Sequence, residues 1–495
     1  MSTSLVAITD DLQGFDKSNW IVTTYLVTYT VFILIWSKLC DIYSQKLVQS
    51  VALILFIVIS AACGAAQTIT QLIILRAFQG IGGAGLYAVP TIMCFELSPP
   101  QQRAKYMGVM SAVFAMSYVL GPLLGGAINI TTTWRWVFLL NVPAGIVSLI
   151  LLLLALPSDF PYQGDHPNNP WKGKHIAARQ SLEKIDFLGA GLLLLASVLL
   201  ILAINEAGIG HFLWSNPLVI TFLVLAAGLW AGFFSWEFYT SKNDKLPQRP
   251  MLPWQLLSNR VFIGMLSNSF TVGTVYTISV VQIPQRVQTL AGLSPLQAGY
   301  RLLPLVLASP LGSLTASLIH KRTKVNSVIV LLVAAALQIV GSSLISILPV
   351  DAEGLAGVIP PAQHGYEVLL GFGLGASIGT LFLTVQPNIE RRYITVALGA
   401  INQWRSLGGA IALAVVTSVM TESIDSKLSG YLSSEQLYHV LQSAATIQEL
   451  PESLQGVTRS QFGRAYNEQM KIVMGLAIVQ FLATLLMWKK QNTIE

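Results

Sequence analysis

Two arginines stand inside runs of residues otherwise too apolar to hold a charge. Arg76 lies in Leu72-x-x-x-Arg76-x-x-Gln79-Gly80-x-Gly82-Gly83-Ala84. On a helix, Arg76, Gln79, Gly80 and Gly83 share one face. A charge at the centre of a membrane helix costs about 2.5–3.5 kcal/mol on the insertion scale. Such a residue either faces a polar path and serves function or satisfies itself on backbone carbonyls in a tight bundle. The neighbouring glycines let another helix approach the same face. Arg405 repeats the pattern in Asn402-Gln403-Trp404-Arg405-Ser406, with Asn402 and Arg405 close on one face. Together with Tyr25, Asn268 and Gln386 they form a candidate substrate cavity. Each alone could equally tie two helices together, worth about 0.6 kcal/mol.

Two further constellations concern movement. In Ser117-x-x-x-Gly121-Pro122-x-x-Gly125-Gly126 the proline removes a backbone donor and bends the helix. Gly121, Gly125 and Gly126 allow tight packing at that bend, which suits a hinge or seal but also a routine kink. In the loop Ser37 to Lys46, Asp41 is placed either to cap the next helix or to pair a basic residue across an inner gate. Catalytic chemistry is absent. No Ser-His-Asp, His-rich or carboxylate-pair arrangement falls inside the apolar runs, and no GK[ST] loop exists to hold a nucleotide. Cys40, Cys63 and Cys94 form no CxxC pair, and His166 and His175 have no partner spacing. No enzyme activity, metal or cofactor is therefore expected.

The elements that must carry these residues follow from composition. Hydrophobic residues make up 53% of the 495 and charged residues 11%, against roughly 25% charged in a soluble protein. The fold class expected is all-α integral membrane. Apolar runs of about 20 residues, enough to span hydrocarbon as helices, lie near 19–38, 48–66, 70–94, 106–128, 136–156, 187–205, 216–238, 261–282, 296–319, 326–348, 366–386, 394–419 and 470–488. That is about thirteen complete spans. Residues Met1 to Ile8 followed by Asp10, Asp11 and Asp16 read as the outer end of a fourteenth whose first half is missing.

Alternate loops collect the basic residues, from Lys38 and Lys46 through Arg249 and Arg260 to Lys489 and Lys490. The positive-inside rule makes that face cytoplasmic. The net charge of +6 thus reflects membrane orientation rather than nucleic-acid binding. Leu124-Gly125-Gly126-Ala127-Ile128 recurs as Leu407-Gly408-Gly409-Ala410-Ile411, and the glycines of 80–85 have a looser echo at 371–375. Two related halves are expected, with a substrate path at their interface. The divisions are residues 1–156, a helix bundle with an incomplete first span; 157–185, a cytoplasmic linker; 186–258, an inserted helix pair and inner loop; and 259–495, a second bundle. An outer loop at 420–468 contains a short helix near 434–444, marked by the capping pair Ser433 and Gln436.

These motifs resemble the major facilitator superfamily, in its fourteen-span drug:proton antiporter branch. Leu72 to Ala84 matches the Arg-containing fourth-helix motif. Ser117 to Gly126 matches the fifth-helix antiporter motif, with Ser117 for its first Gly. Trp134-Arg135-Trp136-Val137-Phe138-Leu139-Leu140-Asn141-Val142-Pro143-Ala144-Gly145 is similar to the branch's entry to the sixth helix. The likeness is strongest to fungal efflux pumps for toxins and secondary metabolites. It implies two six-helix bundles with an inserted pair and alternating access, with proton-coupled export of a small amphipathic molecule. It also implies a monomer in the plasma or vacuolar membrane. Arg76, Gln79, Gly121, Pro122, Gly125 and Gly126 would serve coupling and gating, with Asp41 at the inner gate. The inner-loop motif departs from the family: Ser37 and Ser44 replace its glycines and Gln45 a basic residue. A sensor or receptor on the same fold, moving nothing, is the competing reading.

Overall fold

The structure is a computed structural model. It describes residues 8, 11–12, 18–98, 102, 106, 109–110, 112–113, 116–117, 120–121, 124–125, 128, 132–157, 160, 185–208, 214–243, 246, 248–293, 295–323, 325–350, 360–442 and 444–489. Twelve of its helices are long and apolar enough to cross a membrane. They are α1 Ser18–Ile42, α2 Gln45–Gly64 and α3 Ile69–Leu97. Next come α4, spanning Arg135–Ala155, α5 Phe187–Gly208 and α6 Pro217–Lys242. The last six are α7 Arg260–Ala291, α8 Leu303–Thr323, α9 Ser327–Ser346, α10 Ala362–Asn388, α11 Ile394–Leu428 and α12 Glu452–Leu485. The span expected at 106–128 falls largely outside the described residues, as does the linker at 157–185. Nevertheless α3 ends beside the start of α2, where Gln45 donates to Glu96 at 2.9 Å. The start of α4 lies beside the other end of α2, where Arg135 donates to the Ala66 carbonyl at 3.3 Å. The end of α3 and the start of α4 therefore lie on opposite faces of the membrane.

Helix boundaries follow local chemistry. Thr68, Asn216, Asn259 and Asn326 each accept a backbone N–H of the first turn they precede, satisfying donors that have no intrahelical partner. Gly292, with φ 63°, ends α7 in the left-handed region that glycine adopts without strain. Lys46 donates to the last carbonyls of α4, at 2.8 Å to Leu153 and also to Leu156. A cation is favourable at a helix C-terminus, which gives this basic loop residue a structural task.

The two halves share one packing plan. α3 packs against α1 and α2, and α10 packs against α8 and α9. The glycine faces picked out as a repeat make these contacts. A Cβ at Gly80 would overlap Thr28 of α1, and one at Gly375 would overlap the Ser309 carbonyl of α8. The pair α5–α6 packs together, and α5 also touches α1 and α11, along the seam between the halves. Side chains on α4 and α6 such as Ile146, Leu154, Val224 and Leu225 are exposed, as a lipid-facing surface requires.

One expectation gives way. The segment 420–468 is mostly helical rather than a loop: α11 continues to Leu428, α12 begins at Glu452, and the helix Ser434–Gln442 lies between. Ile424, Leu428, Leu437, Val440, Leu450, Phe462 and Tyr466 bury against one another to hold it. Hydropathy alone underestimates such helices because their outward faces are polar, although Phe462, Ala465 and Tyr466 already repeat at three and four. The short helix stands where Ser433 and Gln436 predict it: Ser433 N donates to Gln436 Oε1 at 3.0 Å and Gln436 N to Ser433 Oγ at 3.3 Å.

Candidate functional site

Arg76 lies seven residues into α3 from its outer end, about 10 Å below it. Its Nε donates to the Ile21 carbonyl at 3.1 Å and its Nη1 to Gln79 Oε1 at 2.6 Å. Gln79 passes the contact on, donating to Ser60 Oγ of α2 at 2.7 Å. The guanidinium carbon stands 4.0 Å from the centroid of the Tyr25 ring. The predicted face of Arg76, Gln79 and Gly80 is therefore real. It is turned onto α1 and α2, with the charge held by dipoles and by the rings of Tyr25 and, at 5.9 Å, Phe138.

From Tyr25 a line of rings descends toward the middle of the membrane. Tyr25 stacks on Tyr29 at 5.8 Å between centroids, and Tyr29 lies 6.0 Å from Tyr87 of α3. The Arg405 guanidinium carbon of α11 is 5.4 Å from the Tyr87 centroid and 6.0 Å from that of Phe382. Arg405 sits eleven residues into α11, about 16 Å from its inner end, near the midplane of a roughly 30 Å hydrocarbon layer. Trp404 adjoins Phe270 of α7 and Trp230 of α6, at 6.3 and 6.1 Å. The two arginines thus mark the ends of an aromatic ladder that passes from one half to the other. Glycine fixes the lower end: a Cβ at Gly273 of α7 would overlap the Arg405 carbonyl.

The expected cavity set divides. Tyr25, Asn402 and Arg405 join this ladder. Asn268 does not. Its amide donates to the Gly264 carbonyl at 2.9 Å and accepts from Thr484 of α12 at 2.8 Å, so it ties α7 to α12 inside the second half. Gln386 is exposed near the inner end of α10, one turn inward of Phe382. Of the bent-helix residues, Pro122 and Gly126 lie outside the described residues. Gly125 is buried, and Gly121 is exposed with open space where a Cβ would point. A separate cavity of about 420 Å³ is lined by Gln49, Pro90, Met93, Cys94, Leu97 and Ser98 among others; it contains none of the expected site residues.

The inner ends are closed. Asp41 Oδ2 lies 3.4 Å from Lys38 Nζ and 3.7 Å from Arg249 Nη1. Arg249 belongs to the segment leading into the second half, so Asp41, in the last turn of α1, lies against a basic residue across the inner side. Beneath it, Ser37 of α1 fills the space where Gly399 of α11 lacks a side chain. A single apolar cluster joins Leu34, Trp36 and Cys40 of the first half to Val385, Leu398 and Ile401 of the second.

Three buried carboxylates escaped sequence reasoning. Glu237 of α6 accepts the backbone N–H groups of Met251 and Leu252, each at 3.1 Å. Asp186 accepts Gly189 N at 2.8 Å and Trp236 Nε1 at 2.9 Å. Glu367, fully buried in the first turns of α10, accepts Gln363 Nε2 at 2.8 Å and lies 3.9 Å from His364 Nδ1. Arg301 Nη1 donates to His364 Nε2 at 3.0 Å. On the outer side Asp11 accepts Trp134 Nε1 at 2.9 Å and Arg135 Nη1 at 2.7 Å. Those bonds, the Trp134 one foremost, hold its carboxyl below the usual range. Among the described residues no group of His, Cys, Asp and Glu could hold a metal ion.

Comparison with known proteins agrees with this architecture. The family model of the Major Facilitator Superfamily matches residues 1–413. The MFS-type transporter FPY5 of Fusarium mangiferae is 38% identical over 99% of this chain and 80% of that protein. The rubrofusarin-specific efflux pump aurT of Gibberella zeae is 28% identical over 87% of this chain and 75% of that one. Among solved structures, the proton:xylose symporter XylE superposes with TM-score 0.55 at 13% identity, covering 99% of this chain and 91% of that one, which is a likeness of fold. These relatives are carriers rather than enzymes. The chain is a multi-pass integral membrane protein and belongs to the Major Facilitator Superfamily of transporters.

Proposed function

We propose that this transporter exports a small amphipathic organic molecule, a drug, toxin or secondary metabolite, by alternating access coupled to inward proton movement. The observation that carries the reading is the ladder from Arg76 to Arg405, because it joins the two halves where a substrate held between them would lie. The closed inner ends fit one of the two states such a cycle needs. The names of relatives, the rubrofusarin-specific efflux pump and the thioclapurine efflux transporter of Claviceps purpurea, support export of a metabolite.

In this reading Asp41 closes the inner gate, and Tyr25, Asn402 and Arg405 meet substrate. Arg76 and Gln79 couple the ladder to α1 and α2, and Gly121, Pro122, Gly125 and Gly126 bend for gating. An arginine keeps its own proton, so the coupling proton needs a carboxylate or imidazole. Glu367 beside His364, near the outer surface, is suited to that task. A membrane potential supplies about 2.3 kcal/mol per charge per 100 mV to drive it. The protein acts as a monomer, in the plasma membrane or the vacuolar membrane.

The test uses proteoliposomes with an imposed proton gradient and a lipophilic fluorescent dye. Accumulation should depend on the gradient and be lost in Arg76→Ala and Glu367→Gln. Gradient-independent accumulation would refute the coupling, and equal accumulation by Arg76→Ala would remove that residue from it.

A further inference from the structure

We infer that the ladder selects planar aromatic acids: molecules that pair a flat ring system with a carboxylate or phenolate. This deepens the transporter reading and rests on it. The argument begins with unspent hydrogen-bonding capacity. A guanidinium carries five N–H donors and stays charged. Among the described residues the Arg405 side chain makes one hydrogen bond, from Nη2 to Asn402 Oδ1 at 3.2 Å. No carboxylate lies within ion-pair distance of it among the described residues. Asn402 itself is fully buried, and its Nδ2 has no acceptor. Because Nδ2 shares a carbon with the oxygen that receives Arg405, this idle donor points beside the guanidinium. The site therefore presents several donors without acceptors and, among the described residues, no anion. A carboxylate answers the fork of a guanidinium with two parallel bonds.

The walls specify the rest of the ligand. Tyr29 and Tyr87, from α1 and α3, and Trp404 and Phe270, from α11 and α7, are each half-buried although they sit deep in the membrane, and each pair meets ring to ring. Flat aromatic faces in that state accept another ring by offset or edge stacking. Arg76 closes the outer end of the same line with a second fixed positive charge, also without a carboxylate partner among the described residues. A permanently cationic ring compound would meet like charge at both ends of the ladder. A planar anion meets complementary charge and stacking surfaces at once.

Equilibrium dialysis on the full-length protein in lipid nanodiscs tests this with three probes sharing one ring system: 3-hydroxy-2-naphthoate, 2-naphthylmethanol and 2-naphthylmethylammonium. The naphthoate should bind at least about tenfold more tightly than the ammonium, as a charge-assisted pair implies. Arg405→Gln should erase that preference. Arg405→Lys, which keeps charge but not the fork, should retain part of it and guards against a folding defect in the glutamine variant. Equal or tighter binding of the ammonium overturns the proposal, as does naphthoate affinity unchanged in Arg405→Gln. Dialysis does not depend on transport. Naphthoate binding that needs Arg405 in a protein that moves no probe would sink the transporter reading and leave the site standing. Dye transport without naphthoate binding would do the reverse.

Discussion

Replacing Asp41 by Asn should loosen the inner seal, and a native thiol reports the change. Lys38 is 4% exposed, whereas the side chain of Arg249 is 53% exposed, so the two partners of Asp41 weigh differently. Unit charges about 4 Å apart attract by roughly 4 kcal/mol at an effective dielectric of 20. Stranding the buried member of an ion pair costs about 3–5 kcal/mol, while an exposed pair is worth about 1 kcal/mol or less. Asp41 keeps some solvent contact, its side chain being 18% exposed, and Asn retains one acceptor oxygen. A loss of about 1.4–2.8 kcal/mol of closure is therefore expected, a ten- to hundredfold rise in the open population. Cys40, one residue away and 6% exposed, lies in the apolar cluster that the seal covers. With Cys63→Ser and Cys94→Ser in place, its rate of maleimide labelling from the inner face should rise by that factor in Asp41→Asn. In Arg249→Gln it should rise by much less. A rate unchanged by Asp41→Asn, or raised more by Arg249→Gln, would refute the reasoning.

Three other outcomes follow from the packing. Gly273→Ala forces a methyl into the Arg405 carbonyl and should cost about 1–3 kcal/mol, lowering the thermal midpoint in detergent, while Gly475→Ala, with open space around it, should leave the midpoint unchanged. Ser433→Ala removes a reciprocal cap and should weaken the outer helix by about 0.5–2 kcal/mol, seen as faster amide exchange over 434–442. Asp11 titrates below the ordinary carboxylate range, so its clamp on Trp134 and Arg135 should be intact at neutral pH and be lost as pH falls through that depressed value. Trp134 fluorescence should follow that acid transition, and Asp11→Asn should abolish it.

Much of the architecture was legible because hydrocarbon is a stringent solvent: apolar length and loop charge mark spans directly, and an arginine among leucines stands out. Arg76, Gln79, Arg405 and Asp41 are candidates on that logic. Tyr29 and Tyr87 are not, because a tyrosine in an apolar run carries no mark of what its ring faces. Glu237 carries no such mark either; its partners, Met251 and Leu252, are recognisable only once the chain has turned back. Asn268 shows how the two readings of such a residue are told apart. A lone buried amide signals a path only when its hydrogen bonds are left open, and those of Asn268 are filled by Gly264 and Thr484.

Alternating access requires the closed inner ends to part, and a reversible lock tests that directly. Asp41→Cys and Arg249→Cys would be combined in a chain cleared of Cys40, Cys63 and Cys94, reconstituted, and bridged by a short disulfide-forming reagent. Dye flux should stop when the bridge forms and return when the same vesicles are reduced. Flux that continues at the unbridged rate through fully bridged protein would contradict the account.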